Sequence, residues 1–315
     1  MKWLAQAPSN IALIKYMGKK DPEKNIPTHA SFSYTLPMLT STVELESVSA
    51  HKDFWEPLYT PAALPFALSE AAQIRFLDHL QFLKQYFGFS GTFIVRSCNN
   101  FPHSVGIASS ASSFAALTRC ASRAISALTG SPEPSTETLA SLSRQGSGSS
   151  CRSFFSPWAL WREETVEAID LPYSELLHSV IIITHAEKAI SSSEAHARVL
   201  TSPGYQGRAE RAEQNLHQLL NALQNKDWAQ AYEVTWKEFW DLHQLFETAD
   251  LPFSYMNDTC KTVLYQLQKL WKQEGDGPLV TMDAGSSIHL LYRLDQAESA
   301  LKFKQEFLQA NYDVL

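Results

Sequence analysis

One segment restricts the fold more than any other. Residues 91–97, Gly-Thr-Phe-Ile-Val-Arg-Ser, read as a strand, and a run of small and turn-forming residues from Asn99 to Ser113 then leads straight into an Ala-, Ser- and Leu-rich helix over about 109–129. A strand feeding a helix in this way belongs to an architecture that mixes α and β. The junction also bears on chemistry. The first backbone N–H groups of a helix are unpaired and its dipole is positive there, so small residues such as Gly106 and Ala108 let a phosphate approach the backbone. Ser109 and Ser110 add hydroxyls for a phosphate or for a bound Mg²⁺. The same residues fit an ordinary Ser-capped helix, because this is not a G-x-x-x-x-G-K-[ST] loop, and spacing alone does not separate the two.

The remaining pattern supports an α+β or α/β chain. Strands are expected at 3–7, 10–16, 42–48, 178–185, 279–283 and 287–293, and a helix at about 69–87. Leu216, Leu219, Leu220 and Leu223 repeat at helical spacing, and after Asn225-Lys226-Asp227 a second helix sets Trp228, Tyr232, Trp236, Phe239, Trp240 and His243 along one stripe, the mark of a helix–helix core. A third helix over about 255–273 stops near Gly275 and Gly277, and a last one starts near 295. Residues 131–137 form a loop into a helix, and a domain boundary is expected near 175–185.

Net charge is −7, which argues against a broad nucleic-acid-binding surface. It is unevenly spread: residues 1–78 balance at −1, residues 79–162 at +5 with only Glu133 and Glu137 as acids, and residues 163–315 at −11. The acid-poor middle suggests that an anion is received there. Runs such as Val180–Ile183 are too short to cross a bilayer, the N-terminus lacks a signal segment, and Cys98, Cys120, Cys151 and Cys260 have no C-x-x-C or disulfide-framework spacing. A soluble cytoplasmic protein with reduced thiols, and without a zinc site, is expected.

Three further segments carry candidate chemistry. Only 12 glycines occur in 315 residues, so their clustering in Arg144-Gln145-Gly146-Ser147-Gly148-Ser149-Ser150-Cys151-Arg152-Ser153 is informative. Phe154, Phe155 and Trp158 follow at once, so the segment reads as a shaped turn whose amides and hydroxyls, with the Arg152 guanidinium, suit a carboxylate or phosphate; a solvated Gly-Ser loop with a surface Arg is the competing reading. Ala7-Pro8-Ser9-Asn10-Ile11-Ala12-Leu13-Ile14-Lys15-Tyr16 ends an apolar run on a lysine, which either meets an anion at the core's edge or snorkels to solvent. Leu279-Val280-Thr281-Met282-Asp283-Ala284-Gly285 delivers a carboxylate from a strand into a turn, suited to a general base or metal ligand and equally to a plain Asp turn.

Taken in order, these segments resemble the diphosphomevalonate decarboxylase family of the GHMP kinase superfamily. A-P-S-N-I-A-L-I-K-Y at 7–16, N-N-F-P-H-S-V-G-I-A-S-S-A-S at 99–112 and R-Q-G-S-G-S-S-C-R-S at 144–153 resemble the family's N-terminal strand, phosphate loop and substrate loop. Lys188 with Ser191–Ser193, residues 252–258 and Met282–Gly285 resemble further blocks. The resemblance implies an α+β GHMP kinase fold: a ribosomal-protein-S5-like α/β domain with a left-handed crossover over 1–178, a ferredoxin-like α+β domain over 179–315, and the site in the cleft between them. It also implies ATP-dependent decarboxylation of 5-diphosphomevalonate to isopentenyl diphosphate, no organic cofactor, and a homodimer.

On that resemblance, Asp283 is the base for the 3-hydroxyl, Lys15 holds Asp283 ionised and stabilises the transferring phosphoryl group, and Arg152 grips the substrate carboxylate. Asn10, Tyr16, Lys19, Ser147, Gly148, Ser149, Lys188, Ser191 and Ser192 complete the substrate site. Asn99, Pro102, Gly106, Ala108, Ser109, Ser110 and Ser112 receive ATP, with Ser109 and Ser110 helping to seat Mg²⁺. Two departures stand out. Met17 replaces the usual Trp, which should alter packing near the substrate or nucleotide, and Pro27-Thr28-His29-Ala30-Ser31 replaces a Pro-x-Asn-(Ser/Asp)-Ser run, removing an amide and a hydroxyl near the site. Readings that stay open beside the decarboxylase are a decarboxylase of 5-phosphomevalonate, a mevalonate 3-kinase of the same fold, and a non-catalytic module that binds an isoprenoid precursor.

Overall fold

The computed structural model describes residues 1–61, 67–102, 109–184, 188–310 and 312–315. In chain order the elements are β1 (Lys2–Ile14), β2 (Lys19–Asp21), β3 (Ile26–Pro27), β4 (Ser31–Val48), β5 (Phe54–Pro57), α1 (Glu70–Tyr86), β6 (Thr92–Asn99), α2 (Ser109–Thr129), α3 (Thr136–Gly146), β7 (Trp158–Arg162), β8 (Thr165–Ile169), β9 (Leu177–Ile182), α4 (Ser192–Arg198), α5 (Arg208–Gln224), α6 (Trp228–Glu247), α7 (Asp258–Glu274), β10 (Leu279–Thr281), β11 (Ile288–Tyr292), α8 (Ala297–Gln309) and β12 (Asp313–Val314). The expected mixture of α and β is present throughout.

The long strand β4 organises the first half. β1 pairs antiparallel along its whole length, while β7 pairs with its start (Ser31–Tyr34) and β6 with its end (Ser41–Val48), so one strand serves two neighbours in succession. β8 extends β7, and β5 joins β6 in parallel, the one such pair of this sheet among the described residues. The sequence suggested two strands at 3–7 and 10–16; they are one, with a register shift between Pro8 and Ser9. Proline has no N–H for a ladder, and a bulge is where a strand tolerates it. The burial of β1 shows why its two ends read differently. Its first residues alternate, while Ser9–Ile14 is buried throughout because this end is covered on both faces.

One covering layer is α2, whose small Ala and Ser side chains let it lie close across β1 and β4, with α1 and α3 beside it around Val43, Leu45, Phe76, Leu80, Phe93 and Phe114. The other is the second half of the chain. Ile11, Leu13, Phe32 and Trp158 share one continuous core with Leu216, Leu219, Phe239, Leu264 and Leu290 from α5, α6, α7 and β11. The second sheet runs β10-β11-β9-β12, all antiparallel. The aromatic stripe of α6 packs as a helix–helix core, with Tyr232 stacked on Trp271 of α7 at 4.1 Å, although Trp240 lies partly open. Caps fall where the local sequence puts them: Ser135 on α3, Asp227 on α6 and Asn257 on α7, which ends on Gly275 at φ 67°.

Candidate active site

β1 ends one residue before Lys15, and β10 ends two residues before Asp283, so two strand ends from opposite halves of the chain deliver a cation and an anion to one point. Lys15 Nζ donates to Asp283 Oδ1 at 2.7 Å and to the Ala12 carbonyl at 2.6 Å. The lysine is 1 % exposed and the aspartate 25 %, so the pair opens to the cleft on the carboxylate side. Burial pulls the Lys15 ammonium below its ordinary value, opposed by the charges of Asp283 and Glu238. Burial likewise works to raise the Asp283 carboxyl, but the charge and hydrogen bond of Lys15 outweigh it and leave the group below its ordinary value.

Beneath them the Lys15 amide donates to Glu238 Oε1 at 3.0 Å. Glu238 is fully buried, paired with the Arg208 guanidinium and bonded by Asn215 Nδ2 at 2.6 Å. Burial opposes its ionisation, but Arg208 and these hydrogen bonds hold it down to about 2. A buried charge with this many partners fixes geometry more than it adds stability.

Arg152 is placed by the turn that follows α3. The segment read as a shaped turn is the end of α3 joined at Ser147 to a 3₁₀ stretch over Gly148–Phe154. The guanidinium is buried, donates from Nε to Asn10 Oδ1 at 3.2 Å and from Nη1 to Ser31 Oγ at 3.0 Å, and lies 5.7 Å from the Trp161 ring centroid. Asn10 is pinned in turn by donating to Ser153 Oγ at 2.8 Å. It therefore orients Arg152 from beneath and is not among the residues that line the cleft.

A cavity of about 240 Å³ joins these groups, lined by Lys15, Arg152 and Asp283 with Tyr16, Lys19, Ser147, Gly148, Ser149, Lys188, Ser191 and Ser192. An adjoining space of about 360 Å³ shares Ser109, Ser110, Lys188, Ser191 and Ser192 and continues over Leu68, Ala72, Phe76 and Phe114. Burial lowers Lys188, with Asp283 opposing, and lowers Lys19 together with the charge of Arg75. Ser109 begins α2, and Ser110 Oγ lies 3.4 Å from Ser147 Oγ, so the phosphate-loop and substrate-loop sequences meet here.

Asn99 and Ser112 do not reach the cleft: both are buried and joined through Ser41 Oγ, at 2.7 and 2.6 Å. Pro102 is partly buried and lines neither space, while Gly106 and Ala108 lie outside the described residues. The expectation that the acid-poor middle third receives an anion also needs refinement. That third supplies Ser109, Ser110, Ser147, Ser149 and Arg152, but Arg96 is engaged by Glu44, Glu46 and Glu56 and Arg144 Nη1 bonds the Glu163 carbonyl. Most of the cleft's cations, Lys15, Lys19, Arg75 and Lys188, come from outside it.

Arg75, Asn25, His196 and Glu238 escaped the sequence reading. Arg75 sits on α1, donates to the Gly146 carbonyl at 2.6 Å and lies over Phe114. No spacing marks it. Glu238 left one trace, a carboxylate in an aromatic stripe, but its partner Arg208 is 30 residues away. Met17 is buried with Leu242, Leu245 and Phe246 and also borders the cleft. His29 is buried with Nδ1 2.8 Å from the Ala30 carbonyl, and burial lowers it.

Residues 7–169 match the diphosphomevalonate decarboxylase-like N-terminal domain, and residues 179–314 match the mevalonate 5-diphosphate decarboxylase C-terminal domain. Diphosphomevalonate decarboxylase of Debaryomyces hansenii is 31 % identical over 320 residues, covering 94 % of this chain and 81 % of its own. The crystal structure of a mevalonate diphosphate decarboxylase from Legionella pneumophila is similar at TM-score 0.94 and 59 % identity over the whole of both chains. A structure of the Enterococcus faecalis enzyme, concerned with ATP binding mediated by mevalonate diphosphate, reaches 0.86 at 27 % identity, covering 100 % of this chain and 96 % of that one. A related complex with MVAPP, AMPPCP and magnesium gives 0.86 at 28 % identity over 100 % and 96 %. With the fold of these GHMP kinase relatives and two family models spanning nearly its whole length, the chain belongs to the diphosphomevalonate decarboxylase family.

Proposed function

We propose that this cleft carries out the ATP-dependent decarboxylation of 5-diphosphomevalonate to isopentenyl diphosphate, releasing ADP, phosphate and CO₂. The observation that carries the reading is the Lys15–Asp283 pair at 2.7 Å, open to a cavity that Arg152 also lines. A tertiary alcohol is a poor nucleophile, so it needs a base in hydrogen-bond reach and a field that accepts charge on the phosphoryl group. Asp283 takes the proton of the 3-hydroxyl as that oxygen bonds to the γ-phosphorus and the bond from the γ-phosphorus to the β-phosphate oxygen breaks, ADP leaving with its electron pair. Lys15 keeps Asp283 ionised beforehand and stabilises the phosphoryl oxygens during transfer. Arg152 holds the carboxylate so that the C–C bond stands anti to the C–O bond. When phosphate leaves with the C–O electron pair, the C–C pair forms the double bond and CO₂ departs.

Tyr16, Lys19, Ser147, Ser149, Lys188, Ser191 and Ser192 hold the diphosphate. Ser109, Ser110 and the start of α2 hold the ATP phosphates, and the apolar walls at Leu68, Ala72 and Phe76 suit the nucleotide's less polar end. A magnesium ion bound with ATP lowers the charge repulsion among the phosphates. Among the described residues no group of three or more His, Cys, Asp or Glu could hold a metal by itself, and the residues that fit are hydroxyls, Ser109 and Ser110, beside the phosphates, the hard oxygen donors that magnesium accepts. Residues 1–178 and 179–315 are the two domains of this reading, with a homodimer in the cytoplasm as its setting. No described helix is long and apolar enough to cross a membrane.

A coupled assay with ATP, Mg²⁺ and diphosphomevalonate tests the reading. ADP with CO₂ supports it, ADP without CO₂ replaces it with a 3-kinase, and neither product replaces it with a binding module. Running 5-phosphomevalonate and mevalonate in parallel ranks the substrates.

A further inference from the structure

His196 sits in the same cleft, on α4 one turn beyond Ser192, with both residues among its lining. Nothing in the mechanism above uses it. Its ring is held at Nδ1 and on one face. Nδ1 lies 3.0 Å from the Gly18 amide, which can only donate, so Nδ1 is an acceptor and the neutral ring carries its proton on Nε2. The ring lies against Tyr16 at 4.5 Å between centroids, and Tyr16 lies against Trp161 at 4.6 Å. Gly18 has φ 92°, and a side chain there would meet Tyr205 Oη at 2.0 Å, so the backbone that fixes the imidazole is itself fixed.

We infer that His196 is a further substrate-binding residue, whose Nε2–H donates to a phosphate oxygen at the end of the substrate held by Tyr16 and Lys19. The inference rests on the function proposed above. Both nitrogen positions argue for it: one edge of the ring is consumed by Gly18, and the opposite edge carries a proton in a ring that lines a cavity of phosphate-binding character. Burial and the nearby charge of Lys19 hold the ring down at about 3, so it offers a donor without adding a cation across the neutral range. A donor fixed by a stacked ring loses little freedom when it binds, whereas Lys19 must be ordered.

The test compares His196→Phe, which keeps a ring against Tyr16 and removes the donor, with His196→Gln, which returns an N–H near the Nε2 position. The expected result for His196→Phe is a rise of about tenfold in KM for diphosphomevalonate, the size of one hydrogen bond to a charged group, with kcat and KM for ATP within about twofold of wild type. His196→Gln recovers most of the loss. An unchanged KM in His196→Phe, an equal shift in every kinetic constant, or a glutamine variant as weak as the phenylalanine one overturns the inference. His196→Leu serves in the same comparison if the phenylalanine variant does not fold. Titration calorimetry with inorganic pyrophosphate separates this inference from the activity. If wild type releases no CO₂ yet loses pyrophosphate affinity on His196→Phe and regains it on His196→Gln, the proposed activity fails and this binding role stands. If turnover is normal and neither KM nor pyrophosphate affinity responds to His196, the binding role fails alone.

Discussion

Asp283 is set up chiefly by Lys15, with smaller help from His289 and Arg152. Its carboxyl lies below the ordinary carboxylate range because Lys15 overcomes the effect of burial, and Lys15 lies below the ordinary lysine range because burial exceeds the help of Asp283. The active state, Asp283 ionised and Lys15 protonated, therefore lies between the titrations of these two groups. Activity falls at low pH as Asp283 gains its proton, and at high pH as Lys15 loses one, earlier than a free lysine does. A kcat profile against pH checks both limbs. Lys15→Met removes the largest influence that opposes burial at Asp283 and leaves only the weaker charges of His289 and Arg152, so its acid limb moves upward; an acid limb that stays in place would show that another group sets it. Asp283→Asn keeps the size of the side chain and removes the base. It should lower kcat by about 10²- to 10⁴-fold while ATP and diphosphomevalonate still bind within a few-fold of wild type, and near-normal turnover would end the assignment. These residues were legible because each stands at a strand end inside a motif. His196 and Arg75 were not, because each is a lone polar residue on a helix whose role depends on what the fold brings opposite it.

The turn from α3 into the 3₁₀ stretch shows what an element adds. Two glycines two residues apart both face rings, but different ones. A Cβ on Gly146 would lie 2.2 Å from Phe114 Cδ1 and 2.7 Å from the His79 ring, whereas one on Gly148 would lie 2.6 Å from Tyr16 Cε1. Phe114 and His79 belong to the packed layer of α1 and α2; Tyr16 lines the cleft. Gly146→Ala should then act on stability, costing about 1–3 kcal/mol by overpacking, seen as a lower urea midpoint at unchanged slope. Gly148→Ala should act on KM for diphosphomevalonate by displacing Tyr16, with the smaller loss of stability. Equal effects of the two changes on KM would show that the turn moves as a unit. Sequence reasoning found the glycines and the Arg152 they precede, since small residues among aromatics are rare. It could not find that the turn is helical on both sides of Ser147, because that depends on Asn10 and Ser31, more than 100 residues earlier in the chain, which pin Arg152.

Across the whole molecule the two halves are less separate than their patterns suggest. The change from strand-rich to helix-rich sequence near 175–185 marks where the second sheet begins, at Leu177, but local pattern carries no information about which faces share a core. Ile11, Leu13, Phe32 and Trp158 of the first half pack in one cluster with Leu216, Phe239 and Leu264 of the second, and the Lys15 amide is bonded to Glu238 across the same junction. Residues 1–178 expressed alone would leave that apolar face of β1 and β4 in water, and the free chain should aggregate or stay unfolded. The intact chain should unfold in one calorimetric transition, with van't Hoff and calorimetric enthalpies in agreement; two resolved transitions would show that the halves are independent. Glu238→Gln sharpens the test. It takes from the buried Arg208 one of its two carboxylate partners, Asp241 remaining at 2.8 Å, a loss of about 1–3 kcal/mol, and in one cooperative unit the single transition moves down as a whole. The sign with pH follows from the same pair. Glu238 is held at about 2 in the folded chain, so its contribution is present above the ordinary glutamate value and is lost as pH falls toward 2. The wild-type chain should lose stability steeply over that interval, and Glu238→Gln, already without the pair, should lose less of what remains.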